Sequence, residues 1–161
     1  MRASPELIDY LKRRESFRAT PYLDTAGKRT IGYGHLIRPH EQKTLFKLTE
    51  PQAELLLDQD CDPIELYLDA IQSRFKTRLN QHQFDGCVTL IFNIGLRAFE
   101  TSTLLKFLRA GDHVNAAAEF DRWIYETIKG LNGMTTKRRN RGLINRRRMD
   151  RAIFERGEYA A

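Results

Sequence analysis

The sequence predicts an α+β fold, mostly helical and two-lobed, with a small N-terminal β-hairpin sheet and a larger helical C-terminal lobe. Three observations predict it. Apolar residues recur at steps of three and four over most of the chain, the period of a helix face. One short stretch, residues 21–35, breaks that period and reads as strand, turn and strand. Between the periodic segments stand Ser, Thr, Asn, Asp and Gly, where helices begin and end. At 161 residues one domain is expected. A chain of that length buries roughly 70% of its unfolded surface, so neither a disulfide nor a metal is required to hold its core.

The elements follow in order. Ser4-Pro5-Glu6 starts a helix, with an N-cap hydroxyl, proline at the first position and an acid in the first turn. Leu7, Leu11 and Glu15 then share one stripe. Tyr22-Leu23 and Thr30-Ile31 flank a Thr25-Ala26-Gly27 turn, and Gly32 and Gly34 suggest close backbone approach or unusual dihedrals. Thr49-Glu50-Pro51-Gln52 has a capping-box pattern. It opens a long stripe at positions 53, 57, 61, 64, 68, 71 and 75. Pro63 interrupts that helix, where proline costs about 3 kcal/mol. The stripe keeps its phase across it, which favours one kinked helix over two. Asn80 caps a buried helix marked by Phe84, Val88, Ile91 and Phe92 and ending near Gly95. Ser102 opens another, closed by Gly111, and Asp112 caps a third running to about Tyr125. Residues 127–141, with Gly130, Gly133 and several basic residues, read as a loop. An arginine-rich helix over about 142–156 ends at Gly157. The expected organisation is a small lobe at about 16–50, a joining helix at 49–76, and a helical lobe formed by about 75–161 with the first helix.

Composition is that of a globular protein, 41% hydrophobic and 30% charged. No apolar run approaches the ~18 residues of a membrane span. The N-terminus lacks the apolar core of a signal peptide, so synthesis in the cytoplasm is expected. Cys61 and Cys87 fall on apolar helix faces and read as reduced core residues; no CxxC or Cys/His cluster suggests zinc. No cofactor or metal is expected. The net charge of +6 is uneven: residues 126–161 carry ten Lys/Arg against four Asp/Glu, and residues 1–125 carry seventeen of each. That excess points to an anionic partner or to a solvated basic face.

Three residues in the first quarter of the chain carry candidate chemistry. Taken singly, Glu15 reads as a boundary residue on its stripe, Asp24 as a turn former and Thr30 as an ordinary strand residue. Together they suit glycoside hydrolysis, which needs two carboxyl groups in different environments. An apolar surround and the negative end of a helix dipole both favour a neutral carboxyl, the form that donates a proton to a leaving oxygen. A polar, ionised carboxylate activates water or stabilises positive charge, and a neighbouring hydroxyl can position that water.

Glu15, Asp24 and Thr30, spaced by nine and six, resemble the Glu–Asp–Thr triad of the phage-type lysozymes, muramidases that serve tailed phages as endolysins. YLDTAGKRTIGYGHL is similar to that family's hairpin, and LNQHQFDGCVTLIFNIG to its central helix. Phe99 with Ser102-Thr103-Leu104, Trp123, and Gly142-Leu143 with Arg146-Arg147 extend the resemblance, in order, over nearly the whole chain. The resemblance implies hydrolysis of the β-1,4 bond between N-acetylmuramic acid and N-acetylglucosamine in peptidoglycan, with inversion. It implies Glu15 as general acid, with Asp24 and Thr30 holding the attacking water. Leu36, Phe92 and Asn93 would face the substrate. Arg146 would pair with Glu15, and His35 with Asp60. It also implies a monomer, released to the periplasm or wall by a holin.

The chain departs from the pattern at Pro63 and in the longer stretch between Trp123 and Gly142. Two other readings remain open at this point. One is a non-catalytic peptidoglycan-binding module. The other is a cationic C-terminal helix, residues 137–156, acting on anionic membranes or nucleic acid. A milder form of the latter is contact with the anionic cell envelope through Lys137–Arg151, with no specific nucleic acid bound.

Overall fold

The computed structural model describes residues 1–24, 27–129 and 134–160. Helix α1 (Pro5–Glu15) begins where Ser4 Oγ accepts from Leu7 N–H at 3.1 Å, and it buries Leu7, Tyr10 and Leu11. Strands β1 (Arg18–Leu23), β2 (Arg29–Gly32) and β3 (His35–Leu36) form an antiparallel sheet in that order. Tyr22 faces Thr30 and Leu23 faces Arg29, so the strands expected from Tyr22-Leu23 and Thr30-Ile31 pair in register. Thr25 and Ala26, named above as the turn, lie outside the described residues.

The sheet meets the long helix α2 (Glu50–Phe75) through Gly32, which has φ +66°. A Cβ there would sit 3.1 Å from Ala53 Cβ, so the close approach of strand and helix requires glycine. Gln52 Oε1 accepts from Thr49 N–H at 2.9 Å, within the expected capping box. Pro63 lies inside α2, which runs on as one helix. Six of the seven stripe positions are buried: Ala53, Leu57, Cys61, Ile64, Leu68 and Ile71. The seventh, Phe75, is exposed at 37% and lies under the Arg109 guanidinium, 4.7 Å from the ring centroid.

Helix α3 (Gln81–Ile94) is the core of the helical part. Every residue from Phe84 to Ile91 is buried, and each large apolar side chain there stabilises the fold by roughly 1.5–3 kcal/mol. Around it pack α4 (Leu96–Glu100), α5 (Thr103–Arg109), α6 (His113–Glu119) and α7 (Arg141–Arg156). Asn80, Ser102 and Asp112 cap α3, α5 and α6 through their side chains, as their sequence positions suggest. Gly157 ends α7 with φ +67°. Cys61 and Cys87 are free and buried. Burial pushes the Cys61 thiol up to about 12 and raises Cys87 as well.

Two expectations about the last third are corrected. The third of its helices stops at Glu119 rather than near Tyr125, because buried Phe120 enters a 3₁₀ turn, Phe120–Arg122. The segment read as a loop, 127–141, is largely a hairpin of β4 (Tyr125–Lys129) and β5 (Thr135–Arg139). Strand β5 is exposed along its length, so it lacks the apolar alternation that marks a half-buried strand. It is held by cross-strand contacts, among them Arg138 Nη2 to Glu126 Oε1 at 2.8 Å, a directly opposed pair. Gly130 and Gly133 lie outside the described residues. Helix α4 was not anticipated either; it follows Gly95, where the preceding helix was expected to end, by a single residue.

Candidate active site

Glu15 is the last residue of α1, and its side chain is 22% exposed. Its stripe partners Leu7 and Leu11 are fully buried, so the helix face runs from core to rim and Glu15 stands at the rim. Arg146, from α7, donates from Nη2 to Glu15 Oε1 at 2.7 Å. The carboxylate therefore sits less dry than its stripe suggests, with one oxygen held by a cation. The backbone turns sharply behind it: Ser16 has φ 57° and ψ 134°, an unusual combination for a residue with a side chain. Gly34, with φ +91°, faces Glu15 from the sheet; a Cβ there would sit 3.8 Å from Glu15 Oε2.

Asp24 closes β1. Its Oδ1 accepts from Lys28 N–H at 2.8 Å, while its own N–H donates to Lys28 O at 2.9 Å. Thr30 is 5% exposed on β2 and donates from Oγ1 to Lys28 O at 3.1 Å. Tyr22, two residues before Asp24 and directly across from Thr30, connects these groups. Its phenol is raised above the ordinary range, first by burial and then by the negative charges of Glu15 and Asp24, with Arg18 opposing. Tyr22 thus lies within electrostatic range of both carboxylates. The signal for it in the sequence is an aromatic two residues before the aspartate.

A groove of about 410 Å³ continues from Gly34 between the sheet and α3, lined by Leu36 on one side and Phe92 on the other, with Pro63 at its margin. Leu36 and Phe92 are thus brought together. Asn93 lines a neighbouring groove of about 610 Å³ with Trp123, Tyr125, Lys137 and Leu143. Leu143 stands one turn before Arg146 on α7, and Asn93 follows Phe92 on α3.

His35 is 5% exposed and lies between two acids. Its Nδ1 is 2.9 Å from Asp60 Oδ2 and its Nε2 is 3.2 Å from Glu41 Oε2. The hydrogen bond to Asp60 raises its pKa, against burial and with help from Glu41. Glu41 was not singled out from the sequence. It reaches His35 from the 3₁₀ turn Pro39–Glu41, anchored by Arg38 N–H at 2.7 Å. Among the described residues no group of three or more His, Cys, Asp or Glu is placed to hold a metal ion.

A small antiparallel sheet set against a helical body, with carboxylates on a helix end and on the sheet beside a groove, defines a lysozyme-like protein. The model of the phage lysozyme family matches residues 12–150. The chain is 38% identical over 155 residues to an endolysin of Acyrthosiphon pisum secondary endosymbiont phage 1, covering 96% of this chain and 99% of the relative. It superimposes with a TM-score of 0.84 on the endolysin from Escherichia coli O157:H7 phage FAHEc1, at 33% identity over 100% of this chain and 98% of the other. The muramidase domain of SpmX from Asticcacaulis excentricus gives a TM-score of 0.79 at 29% identity, covering 96% and 97% of the two chains. The chain belongs to the phage lysozyme family.

Proposed function

We propose that the protein is a phage endolysin that hydrolyses the β-1,4 bond between N-acetylmuramic acid and N-acetylglucosamine in bacterial peptidoglycan. The observation that carries this reading is the placement of Glu15: at the end of α1, held on one oxygen by Arg146, with the other beside Gly34, which lines the groove. In this reading Glu15 protonates the leaving glycosidic oxygen. Asp24 and Thr30 position a water on the opposite face of the sugar, and its attack inverts the anomeric carbon. Leu36 and Phe92 offer apolar surface to sugar faces, and Asn93 offers an amide to polar substituents. No cofactor takes part. The protein acts as a monomer, and a holin provides passage from the cytoplasm to the wall.

The test is digestion of purified peptidoglycan followed by mass spectrometry and NMR of the first products. Reducing muropeptides released as the inverted anomer are expected. An anhydro sugar, or binding with no new reducing ends, would overturn the reading. Thr30→Val, which keeps the buried volume but removes the hydroxyl, should lower the rate on the order of tenfold or more.

The exposed basic residues of the hairpin and of α7, within Lys137–Arg151, supply electrostatic attraction to the anionic envelope. Lysis should therefore weaken as salt rises. A separate membrane-active or nucleic-acid-binding helix is not favoured, because Ile153 and Phe154 are spent in the core against α3.

A further inference from the structure

Asn93 and Arg147 make a contact that the reaction as described leaves unused. Arg147 is fully buried on α7, and its Nη2 donates to Asn93 Oδ1 at 2.7 Å. The same nitrogen lies 2.9 Å from Asp150 Oδ2, and Thr89 Oγ1 donates to Asp150 Oδ1 at 3.1 Å. Nε and Nη1 of Arg147 have no hydrogen-bond partner among the described residues. A buried ion pair contributes little net stability over apolar side chains of similar size, so packing alone does not account for this one.

A guanidinium has five donors and no acceptor. The Asn93 atom that faces it must therefore be oxygen, which decides an orientation that amides otherwise leave open. The Nδ2 amide is then left to the groove that Asn93 shares with Trp123, Tyr125 and Lys137. Every polar hydrogen it offers there is a donor. That amide consequently selects an acceptor and disfavours a donor.

We propose that Arg147 is a positioning residue that holds Asn93 as an obligate donor, and that Asn93 binds a carbonyl oxygen of the wall polymer. That carbonyl belongs to an N-acetyl group or to the attached peptide. The inference rests on the muramidase reading of the cleft. It also assigns work to a residue that touches no substrate: Arg147 acts through Asn93.

The decisive variant is Asn93→Asp. The carboxylate keeps an oxygen toward Arg147 and replaces the groove-facing donor by an acceptor. On soluble glycan strands, apparent KM should rise about tenfold while kcat stays within about twofold. The thermal midpoint should not fall. Arg147→Lys keeps the charge beside Asp150 but loses the planar fork, and should raise KM less with the same sparing of kcat.

Two substrates separate the sources of the carbonyl. Loss on intact strands and on strands freed of peptide by an amidase assigns the N-acetyl group; loss confined to intact strands assigns the peptide. Both results support the proposal. Unchanged KM in Asn93→Asp overturns it, as does a fall in kcat with KM unchanged. Should the unmodified protein release no reducing ends, the muramidase reading falls. Co-sedimentation with the same two polymers then decides on Asn93: weaker binding by Asn93→Asp supports the donor role, and equal binding overturns it.

Discussion

The guanidinium of Arg146 lies 2.7 Å from Glu15 Oε1, joining the last residue of α1 to a helix 131 positions further along the chain. The two side chains are 12% and 22% exposed, so the pair belongs neither to the open surface nor to the dry core. The two carboxyl oxygens are thereby made different. One is held by a cation, and the other lies beside Gly34, a residue of the groove lining. In the proposed reaction the second oxygen would deliver the proton to substrate, while the first keeps the group in place.

Glu15→Gln should separate those roles. The amide oxygen can still accept from Arg146, so the fold should survive, with a thermal midpoint within about 3 °C of the parent. Loss of the acid should lower peptidoglycan hydrolysis by roughly 10²–10⁴-fold. Turbidity loss of cell-wall suspensions together with a melting curve checks both halves. A folded variant with near-normal lysis would remove Glu15 from the reaction.

Ser16 holds φ 57° immediately after Glu15, a conformation that costs of order 1–3 kcal/mol for a residue with a Cβ. Glycine relieves that cost but loses more entropy on folding, about 0.5–1 kcal/mol. Ser16→Gly should therefore stabilise the protein by about 1 kcal/mol in urea titration. A net loss of stability would show that the surrounding contacts, and not the backbone, set this turn.

The helical framework was legible because caps and apolar periods agree. Ser4, Asn80, Ser102 and Asp112 each accept a hydrogen bond from the backbone they were expected to cap. The β4–β5 hairpin was not, because a strand with no buried face leaves no period of two to find; its cues were only the β-branched Thr127, Ile128, Thr135 and Thr136. The contacts Arg146–Glu15 and His35–Asp60 were expected from family likeness, not from local pattern. Glu41 and the Arg147–Asp150 pair stayed hidden for a related reason. Nothing in a linear sequence distinguishes a charged residue in solvent from one turned inward.

His35 gives stability a defined dependence on pH. Its folded pKa is raised above the ordinary 6.5, chiefly by Asp60, so its contribution is complete below 6.5 and is lost as pH rises through the raised value. For Glu41, burial pushes its pKa upward, but Arg38 N–H and His35 outweigh burial and leave it below 4.5. Its contribution is present above 4.5 and is lost as pH falls through the depressed value. The cluster therefore contributes most between about 4.5 and 6.5. Asp60→Asn should destabilise the protein by about 1–3 kcal/mol at pH 6 and by less at pH 9. Urea unfolding at the two values checks this; an equal loss at both would exclude the charged pair as the cause.

Gly86 marks the closest approach of α3 and α7. A Cβ there would lie 2.6 Å from Phe154 Cβ and 2.8 Å from its Cα, with backbone that has little room to yield. Gly86→Ala should cost about 2–3 kcal/mol by overpacking, or roughly 5–10 °C in thermal midpoint. A stabilised variant, as helix propensity alone would give, would mean that α7 can slide at little cost.

Asp85 bears on how the molecule comes apart. This one buried carboxylate accepts from Ser4 N–H at 3.2 Å, Ser4 Oγ at 2.5 Å, Gln81 Nε2 at 2.9 Å and the Tyr159 hydroxyl at 2.5 Å. Residues 4 and 159 are thus clasped to the same point on α3, so neither α1 nor the tail after α7 can peel away without dismantling what holds the other. Fraying, which ordinarily begins at chain ends, is thus opposed at both ends by the same carboxylate. Tyr125 and Lys137 of the hairpin and Leu36 of the small sheet, which line the two grooves, lie outside this clasp.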